Sequence, residues 1–479
     1  MRFDYDMIVI GGGAAGLTAA GMSALLGAKT ALIEQHRLGG DCTWTGCVPS
    51  KTLLRAARVV HQAKTANRFG LTNFRPPVKF GQLMDHVRDV RQHIYDDADA
   101  PPNMEKLGVT IIGAQAKFLD PHTLELSGER SGKISSRYFT IATGSRADRP
   151  DLGVDVLTNE SLFELRDQPQ RLLVMGAGPV GIEMAQAFCR LGTEVTVVAP
   201  GKGILAKDDA ELTGILMQSL KAEGIQFHLG RKVLKASREG GVLKATLDDG
   251  SIFECDRILA ATGRVPAVKE LNLDAAGVAI EKRGIRIDSH CRTTARHIYA
   301  AGDVTGRFQF THMAEHMAKV AVTNAILHLP SKMDERHVTW CTFSDPELAH
   351  VGASEEDVKK RGEKYEVYRF PFEKLDRAIT EAETTGLVKV IATKSGAVLG
   401  ASILGANAGE MIGEWALAMK TKLKIKHIAD TIHPYPTYIL GNRRAADAWY
   451  TKQLSSPLLG VLGKVLGYRG VRTGKVQTY

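Results

Sequence analysis

Two stretches of the chain show the same order of apolar and polar positions. Each begins with an apolar run, passes through a glycine-rich turn and a segment of spaced apolar residues, and ends in a second apolar run. These stretches are residues 6–34 and 171–198. A short apolar run bounded by glycine is typical of a buried strand, and spaced apolar residues are typical of a helix. The pattern predicts the order strand, turn, helix and strand twice, and with it an α/β protein.

The first turn has the spacing of a dinucleotide-binding fingerprint. Gly11, Gly13 and Gly16 follow the apolar run, and Glu34 closes the second run, TALIE. Glycines at this spacing let the backbone approach a pyrophosphate at a helix N-terminus, and the acid accepts hydrogen bonds from a ribose diol. The alternative is an ordinary tight turn. The flanking strands and the acid favour a bound dinucleotide.

The second turn repeats this spacing with Gly176, Gly178 and Gly181, so two dinucleotides are predicted. Each fingerprint is followed by a strand end that bears glycine, IATGS at 141–145 and AATGR at 260–264, the latter containing Gly263. This repetition indicates a duplicated architecture.

One carboxylate closes a further apolar strand. Asp303 ends the run IYAAGDV. A carboxylate in this position is placed to bind a polyol, such as the ribityl chain of FAD.

A cysteine pair follows the first fingerprint, where a flavin enzyme would keep a redox-active disulfide. Cys42 and Cys47 lie in GDCTWTGCVPSK, and a helix is predicted to start near Cys47, with Pro49 tolerated in its first turn. A helix N-terminus lowers the pKa of a thiol placed there. The alternative is a zinc or structural site, but no other Cys or His cluster with ligand spacing completes one. The pair therefore favours redox chemistry.

In this order, the motifs resemble the FAD-dependent pyridine nucleotide-disulfide oxidoreductases, and the similarity covers Asp6 to about Ala448. The resemblance implies two Rossmann-like domains, for FAD and NAD(P)H, and a C-terminal α+β domain that makes a homodimer. The implied divisions are an FAD-binding part at 1–150, an NAD(P)-binding domain at 151–265, a return to the FAD-binding or central domain at 266–338, an interface domain at 339–450 and a basic apolar tail at 451–479.

The resemblance also implies roles for single residues. Cys47 is the flavin-side charge-transfer thiol, and Cys42 is the interchange thiol that attacks the acceptor. Lys51 and Glu183 form an ion pair beside the flavin N5 and the nicotinamide, the alternative being a surface pair. Contacts with FAD, largely through the backbone, are implied for Ala116, Thr143, Gly144, Ser145, Gln309 and His312.

Coenzyme choice depends on the end of the strand VTVVA. NAD-preferring members of the family have an acid there, whereas this chain has Ala199, with Lys202 following. The missing acid favours NADPH over NADH, and Lys202 is a candidate for the 2′-phosphate. The alternative is that Lys202 is a solvated loop charge.

The C-terminal motif departs from the family pattern. Dithiol reductases of the family have a His held by a Glu, and alignment of the Pro-Thr pair puts Tyr435 and Leu440 at these positions. Tyr, with a pKa near ~10, is a poor base at neutral pH. His433 is two residues away; either it partly replaces the base or, as we expect, it has a capping or packing role.

In having Tyr at this position, the chain resembles the mercuric reductases. In such an enzyme, the thiolates of Cys42 and Cys47 would bind Hg(II) transiently. Against this, the chain has no cysteine after Cys341, whereas mercuric reductases usually have a C-terminal pair. We therefore expect electron transfer to Hg(II) or another thiol-reactive acceptor. The alternatives are a dihydrolipoamide dehydrogenase or disulfide reductase, an NAD(P)H-quinone reductase, and a non-catalytic redox sensor or tethered binding protein.

Composition adds a few constraints. The 479 residues include six cysteines, too few for a disulfide scaffold, and no stretch is apolar enough to span a bilayer, so a cytoplasmic protein is expected. The net charge is +9, but the sequence contains no motif that reads nucleic acid, so a nucleic-acid partner is not expected. The acid-free tail predicts either contact with an anionic membrane or acidic partner, or a short helix that covers the dimer interface.

Overall fold

The computed structural model describes residues 2–454 and 457–468. In this part of the chain, two sheets with parallel cores and helices packed against them are followed by an antiparallel sheet. The predicted α/β class is confirmed. Of the predicted tail, residues 455–456 and 469–479 lie outside the described residues.

The first sheet has seven strands and contains the first glycine-rich turn. Its order is β3-β2-β1-β6-β5-β4, with β18 paired to β6. The strands are β1 (Tyr5–Ile10), β2 (Thr30–Glu34), β3 (Val109–Gly113), β4 (Gln115–Asp120), β5 (Thr123–Ser127), β6 (Gly132–Ile141) and β18 (Ile298–Ala300).

Helices accompany this sheet. They are α1 (Ala14–Leu25), α2 (Gly40–Trp44), α3 (Cys47–Lys64), α4 (Phe80–Ile94), α5 (Pro101–Lys106) and α9 (Thr311–Ala325). Of these, α1, α5 and α9 share a buried cluster with its strands, whereas α3 and α4 share a buried cluster with the second unit. Small residues of α1, such as Ala15 and Ala19, are buried in one cluster with Met317 and Ala321 of α9. Small side chains let these two helices pack closely at the mouth of the glycine-rich turn.

The second sheet repeats the parallel core on a smaller scale. Its order is β10-β9-β8-β14, and α7 and α8 belong to the same unit. The elements are β8 (Arg171–Met175), α7 (Pro179–Leu191), β9 (Glu194–Ala199), α8 (Ala210–Ala222), β10 (Gln226–Leu229) and β14 (Arg257–Ala260), with an antiparallel sheet of β11 (Val233–Glu239), β12 (Val242–Leu247) and β13 (Ile252–Cys255).

Short elements connect these two units. A two-stranded ribbon pairs β7 (Ser145–Ala147) with β15 (Arg264–Pro266), so the two glycine-bearing strand ends predicted from the sequence lie side by side. The others are α6 (Asn159–Leu162), β16 (Ile280–Glu281) and β17 (Gly284–Ile285).

The third sheet is antiparallel and has the order β19-β20-β23-β22-β21. Trp415 of α12 is fully buried in its core with Val390 and Ile403. The elements are β19 (Thr339–Thr342), β20 (Glu347–Gly352), α10 (Glu355–Lys360), β21 (Glu366–Pro371), α11 (Asp376–Thr380), β22 (Leu387–Ala392), β23 (Val398–Gly405), α12 (Ala408–Lys420), α13 (Ile425–Asp430), α14 (Leu440–Leu454) and α15 (Pro457–Val465).

Candidate active site

The first glycine-rich turn is held by close backbone contacts. Gly11 has φ +105°, and a Cβ on Gly16 would lie 1.8 Å from the Gly11 carbonyl oxygen, so both positions require glycine. Gly13 is different, because the nearest atom to a Cβ built on it is 3.8 Å away. The backbone at Gly13 is therefore open to a ligand, and a pyrophosphate fits at this helix N-terminus.

Glu34 closes the same turn. Its Oε2 accepts a hydrogen bond from the Gly12 N–H at 2.7 Å, and its Oε1 accepts one from the His36 N–H at 2.8 Å. A carboxylate offers about four lone-pair sites, so two remain for a ribose diol.

The second glycine-rich turn has the same geometry. Gly176 has φ +107°, and a Cβ on Gly181 would lie 2.2 Å from the Gly176 carbonyl oxygen. A Cβ on Gly178 would meet no protein atom within 4 Å. The residues present at both turns thus fit a dinucleotide, with room at the middle glycine of each.

The two predicted redox cysteines lie at adjacent helix ends. Cys42 belongs to α2, and Cys47 begins α3, as the sequence predicted. A hydrogen bond from the Cys42 thiol is the main cause that lowers the pKa of Cys47 to about 6, helped by Thr311 and Lys51. The same hydrogen bond raises the pKa of Cys42. At neutral pH, the pair is therefore a Cys47 thiolate and a Cys42 thiol.

Thr311 lies in the segment 309–312, for which the resemblance implied contact with FAD, but its position beside Cys47 was not predicted. Its Oγ1 lies 3.5 Å from the Cys47 sulfur. Thr311 begins α9 and lies between Gln309 and His312, two predicted FAD contacts. These neighbours were the only indication in the sequence that Thr311 lies near the site.

Lys51 and Glu183 form the predicted ion pair, with 2.8 Å between Nζ and Oε2. Glu183 is buried on α7, and its side chain is only 6% exposed. The other Glu183 oxygen accepts a hydrogen bond from the Phe343 N–H at 2.9 Å. A pair with one buried member held by a third element is not an ordinary surface pair.

Asp303 lies in a polar network at the junction of the first two sheets. Its Oδ2 accepts a hydrogen bond from Ser145 Oγ at 2.7 Å, and Arg264 Nε donates to the same hydroxyl at 2.7 Å. Arg264 also contacts Asp41, the residue before Cys42. Arg264 and Asp41 were missed as candidates, although both stand inside motifs that the sequence pointed out.

The remaining predicted cofactor residues lie around these turns. Thr143 Oγ1 donates to the Ala267 carbonyl at 2.7 Å, and Gly144 and Gly263 both have positive φ. His312 Nε2 lies 2.8 Å from the Thr339 carbonyl oxygen. Ala116 is buried on β4 and Gln309 is exposed before α9, so any contact made by Ala116 runs through its backbone.

Arg231, which follows the neighbouring strand β10, lies beside the loop that is predicted to decide coenzyme choice. Lys202 is exposed after β9. Arg231, after β10, donates its backbone N–H to the Ala199 carbonyl at 3.1 Å, and its side chain pairs with Asp249 at 2.9 Å. The sequence could not indicate Arg231, because β9 and β10 become neighbours only in the sheet.

His433 and Tyr435 have opposite environments. Tyr435 is 69% exposed, and a hydrogen bond with Asp376 raises its pKa. His433 is buried, with Nε2 2.8 Å from Glu414 Oε1 and Nδ1 2.9 Å from the Thr431 carbonyl oxygen. Of the two interpretations of His433, this geometry favours the packing role.

No group of three or more His, Cys, Asp or Glu side chains in the described part of the chain is placed to hold a metal ion. Among the helices within residues 2–454 and 457–468, none combines the length and apolarity needed to cross a bilayer.

Comparison with family models gives two matches. Residues 5–318 match the pyridine nucleotide-disulphide oxidoreductase model, and residues 338–442 match the dimerisation domain of the same enzymes. The second match supports a homodimer.

Relatives named as mercuric reductases and as dihydrolipoyl dehydrogenases match nearly the whole chain. A mercuric reductase of Bacillus cereus is 36% identical over 93% of this chain and 71% of its own length. A dihydrolipoyl dehydrogenase of Bacillus subtilis (strain 168) is 32% identical over 91% of this chain and 96% of its own. Among solved structures, the Cu(II) complex of the HOCl-induced flavoprotein disulfide reductase RclA from Escherichia coli has a TM-score of 0.83, at 26% identity over 93% of this chain and 99% of that one.

Proposed function

The chain belongs to the pyridine nucleotide-disulphide oxidoreductases, flavoenzymes that use FAD and NAD(P)H, and we propose that it passes electrons from NADPH through FAD and Cys42–Cys47 to Hg(II) or another thiol-reactive acceptor. The observation that carries the proposal is the polarised cysteine pair. A low-pKa Cys47 thiolate begins α3, one helical turn before Lys51, while Cys42 keeps its proton.

Two sets of residues would hold the cofactors. The first turn, with Gly11, Gly13, Gly16 and Glu34, would bind FAD, and Asp303 would take its polyol chain. The second turn would bind the coenzyme. FAD supplies the step between two-electron donation by NADPH and reduction of the disulfide.

NADPH is favoured over NADH by charge. No acid stands at Ala199 to receive a ribose 2′-hydroxyl, and Lys202 and Arg231 both lie at the end of β9. Lys202 favours a 2′-phosphate there, and Arg231 would join it by exchanging its ion pair with Asp249, 2.9 Å away, for the phosphate.

The cysteine chemistry balances as follows. Two electrons reduce the Cys42–Cys47 disulfide to a Cys42 thiol and a Cys47 thiolate, with one proton on Cys42. Hg(II) binds both sulfurs and displaces that proton, since soft thiolates suit this ion. Two further electrons, from a second NADPH, reduce the bound ion to Hg(0), which leaves both cysteines reduced. From then on, each cycle consumes one NADPH and one Hg(II) and gives NADP⁺, H⁺ and Hg(0).

A metal ion suits the C-terminal segment better than a disulfide does. Reduction of a disulfide produces a leaving thiolate that must be protonated, which calls for a nearby acid. His433 is buried and bonded to Glu414, Leu440 stands where the family has Glu, and the pKa of Tyr435 is raised. A thiol-held metal ion needs no such proton transfer.

Dihydrolipoamide dehydrogenase or disulfide reductase activity is the second candidate, because relatives named for it match the chain over 91% of its length. Quinone reduction directly from the flavin is a further alternative, as is a redox sensor without turnover. We also propose that the functional divisions follow the predicted ranges 1–150, 151–265, 266–338 and 339–450.

The test is steady-state oxidation of NADPH and of NADH by the FAD-loaded protein. The acceptors, assayed separately, are an Hg(II)-thiol complex, oxidised glutathione, lipoamide, a quinone and Cu(II). Turnover with Hg(II) that disappears in Cys42→Ser, while NADPH still reduces the flavin, supports the proposal. Cys189→Ser is the matched control, since Cys189 lies on α7 away from the pair.

Other results would select an alternative. Turnover with a disulfide alone would make the protein a disulfide reductase. Quinone turnover unaffected by Cys42→Ser would mean that electrons leave directly from the flavin. Flavin reduction without turnover of any acceptor would indicate a sensor.

A further inference from the structure

Phe343, in the loop between β19 and β20, contacts both members of the Lys51–Glu183 ion pair. Its backbone N–H donates to Glu183 Oε1 at 2.9 Å, and Lys51 Nζ lies 4.4 Å from the centroid of its ring. Lys51 Nζ and Glu183 Oε2 are 2.8 Å apart. One residue of the third sheet thus touches the anion through its backbone and the cation through its ring.

The loop that carries Phe343 is fastened to the helix that carries Glu183. Gln186 Nε2 donates to the Asp345 carbonyl at 2.7 Å, and the Asp345 N–H donates to Gln186 Oε1 at 2.8 Å. Arg190 Nη1 pairs with Asp345 Oδ2 at 2.7 Å. Gln186 and Arg190 follow Glu183 by three and seven residues, so all three lie on one face of α7. The loop and this face therefore keep a fixed separation.

The helix that carries Lys51, α3, contacts the same loop. Arg58 of α3 lies 3.5 Å from Asp345 Oδ2. Because Lys51 and Cys47 are on α3 as well, Asp345 links the helix of the cysteine pair to the helix of Glu183.

Lys51 needs such a restraint. Its ammonium is a point charge on a flexible stem, and its side chain remains 36% exposed beside Glu183. An ion pair that is partly open to water fixes a lysine weakly. The face of an aromatic ring attracts an ammonium and excludes water from one side of it.

We propose that Phe343 is a positioning residue of the coenzyme half-site, holding Lys51 and Glu183 in place where NADPH reduces the flavin. The third sheet then contributes to electron entry in addition to dimerisation. This inference rests on the proposed role of the Lys51–Glu183 pair.

The experiment is a double-mutant cycle read by stopped-flow reduction of the bound flavin with NADPH. The variants are Phe343→Leu, Lys51→Met and the two together; Phe343→Tyr retains the ring, and Phe74→Leu is the control, because Phe74 is 60% exposed in another loop. Phe343→Leu keeps the backbone N–H and most of the apolar volume. Its reduction rate should fall about two- to tenfold, as expected for loss of one cation–π contact, with an unchanged dissociation constant for NADPH.

Three further readouts separate positioning from a merely structural role. Phe343→Tyr should recover the rate to within about twofold, since it restores the ring face. Phe343→Leu should have no additional effect in the Lys51→Met background. The midpoint potential of the bound flavin should move in the same direction in Phe343→Leu and Lys51→Met, because displacing a nearby cation changes the stability of the added electrons.

The outcomes are distinguishable. If Lys51→Met leaves flavin reduction unchanged, the proposed role of the ion pair fails. If Lys51→Met slows reduction but Phe343→Leu does not, only the inference about Phe343 fails. Equal losses of the flavin reduction rate in Phe343→Leu and Phe343→Tyr would overturn the positioning role, as would an additive effect in the double variant. A loss of rate that accompanies a lower thermal midpoint would also overturn it.

Discussion

His433 Nε2 lies 2.8 Å from Glu414 Oε1, and this contact supports a packing role for the histidine. Its other ring nitrogen, Nδ1, lies 2.9 Å from the Thr431 carbonyl oxygen, so both ring nitrogens have a partner within the protein. Glu414 Oε2 accepts a further hydrogen bond from Asn442 Nδ2 at 2.9 Å. The three side chains tie α12 to the C-terminal segment, and both ring nitrogens of His433 are engaged in these contacts.

Replacing His433 should therefore change stability and leave the chemistry intact. His433→Phe leaves the half-buried Glu414 carboxylate with Asn442 as its remaining partner and should cost roughly 1–3 kcal/mol of unfolding free energy. Urea unfolding and the pH profile of NADPH oxidation would be measured together, with exposed His36→Phe as the control. A displaced pH profile at wild-type stability would instead identify His433 as the acid-base group.

The hydrogen bond between the cysteines should control the reactivity of Cys47. The thiolate fraction rises as pH increases through the pKa, so alkylation of Cys47 in the reduced protein should reach half its maximal rate near pH 6. Cys42→Ala removes the donor and should raise that pKa toward the ordinary thiol value of about 8.5. Iodoacetamide labelling read by mass spectrometry measures this.

Cys42→Ser is the comparison for that experiment. A hydroxyl still donates to the thiolate, so the pKa of Cys47 should rise less than it does in Cys42→Ala. Identical profiles for the Ala and Ser variants would mean that Lys51 and Thr311, not Cys42, govern the thiolate.

Substitution of two glycines of the second turn should have different effects, one on stability and one on coenzyme binding. Gly181→Ala forces a Cβ to 2.2 Å from the Gly176 carbonyl and should destabilise the protein. Gly178→Ala meets no protein atom within 4 Å, so its unfolding free energy should stay within about 0.5 kcal/mol. Its methyl group would instead occupy the approach to the pyrophosphate and weaken NADPH binding about tenfold or more.

Thermal unfolding and titration with NADPH distinguish these effects. Retention of the bound flavin in Gly178→Ala would confine the defect to the second turn. Wild-type affinity for NADPH in Gly178→Ala would contradict the placement of the coenzyme there.

Coenzyme preference should depend on Lys202 and Arg231 together. Removing either cation should lower affinity for NADPH about tenfold, since a charge-assisted hydrogen bond contributes roughly 1.5–3 kcal/mol, and should leave NADH almost unaffected. Calorimetry with 2′,5′-ADP and 5′-ADP isolates the phosphate from turnover. Equal losses for both ligands in Arg231→Ala would place Arg231 outside the phosphate site; exposed Arg257→Ala is the control.

Lys389 is a buried cation at the contact between the second and third sheets. Its Nζ lies 2.7 Å from Asp209, 3.0 Å from Glu211 and 3.0 Å from Glu355, and its side chain is 4% exposed. Lys389→Met removes the cation from buried Asp209, whereas Glu211 keeps its pair with Arg369 and Glu355 keeps its pair with Lys359, and the change should cost about 3–5 kcal/mol. Lys360→Met, which removes an exposed pair with Glu356, should cost less than about 0.5 kcal/mol.

The pH dependence of this cluster has a definite sign. Hydrogen bonds from Lys359 and Lys389 lower the pKa of Glu355 to about 2 from an ordinary 4.5. A depressed carboxyl pKa stabilises the fold above pH 4.5, and this contribution is lost as the pH falls toward 2. Lys389→Met should reduce the loss of stability over that window, and an unchanged acid titration would contradict the assignment.

The sequence by itself determined the elements whose chemistry is local. Both glycine-rich turns, the helix starting at Cys47 and the α/β class were predicted, because glycine spacing, a proline in the first helical turn and apolar periodicity act over a few residues. Resemblance to the family also implied the Lys51–Glu183 pair, although the two residues are far apart in the chain.

Only the tertiary structure decided which groups meet across elements. Glu414 reaches His433 from α12, Phe343 reaches Lys51 from the third sheet, and Arg231 reaches the end of β9 because β10 lies beside it. These contacts follow from sheet order and helix packing, which local patterns do not encode. The burial of His433 and its contact with Glu414 also come from the tertiary structure, since a histidine beside proline in the sequence shows neither.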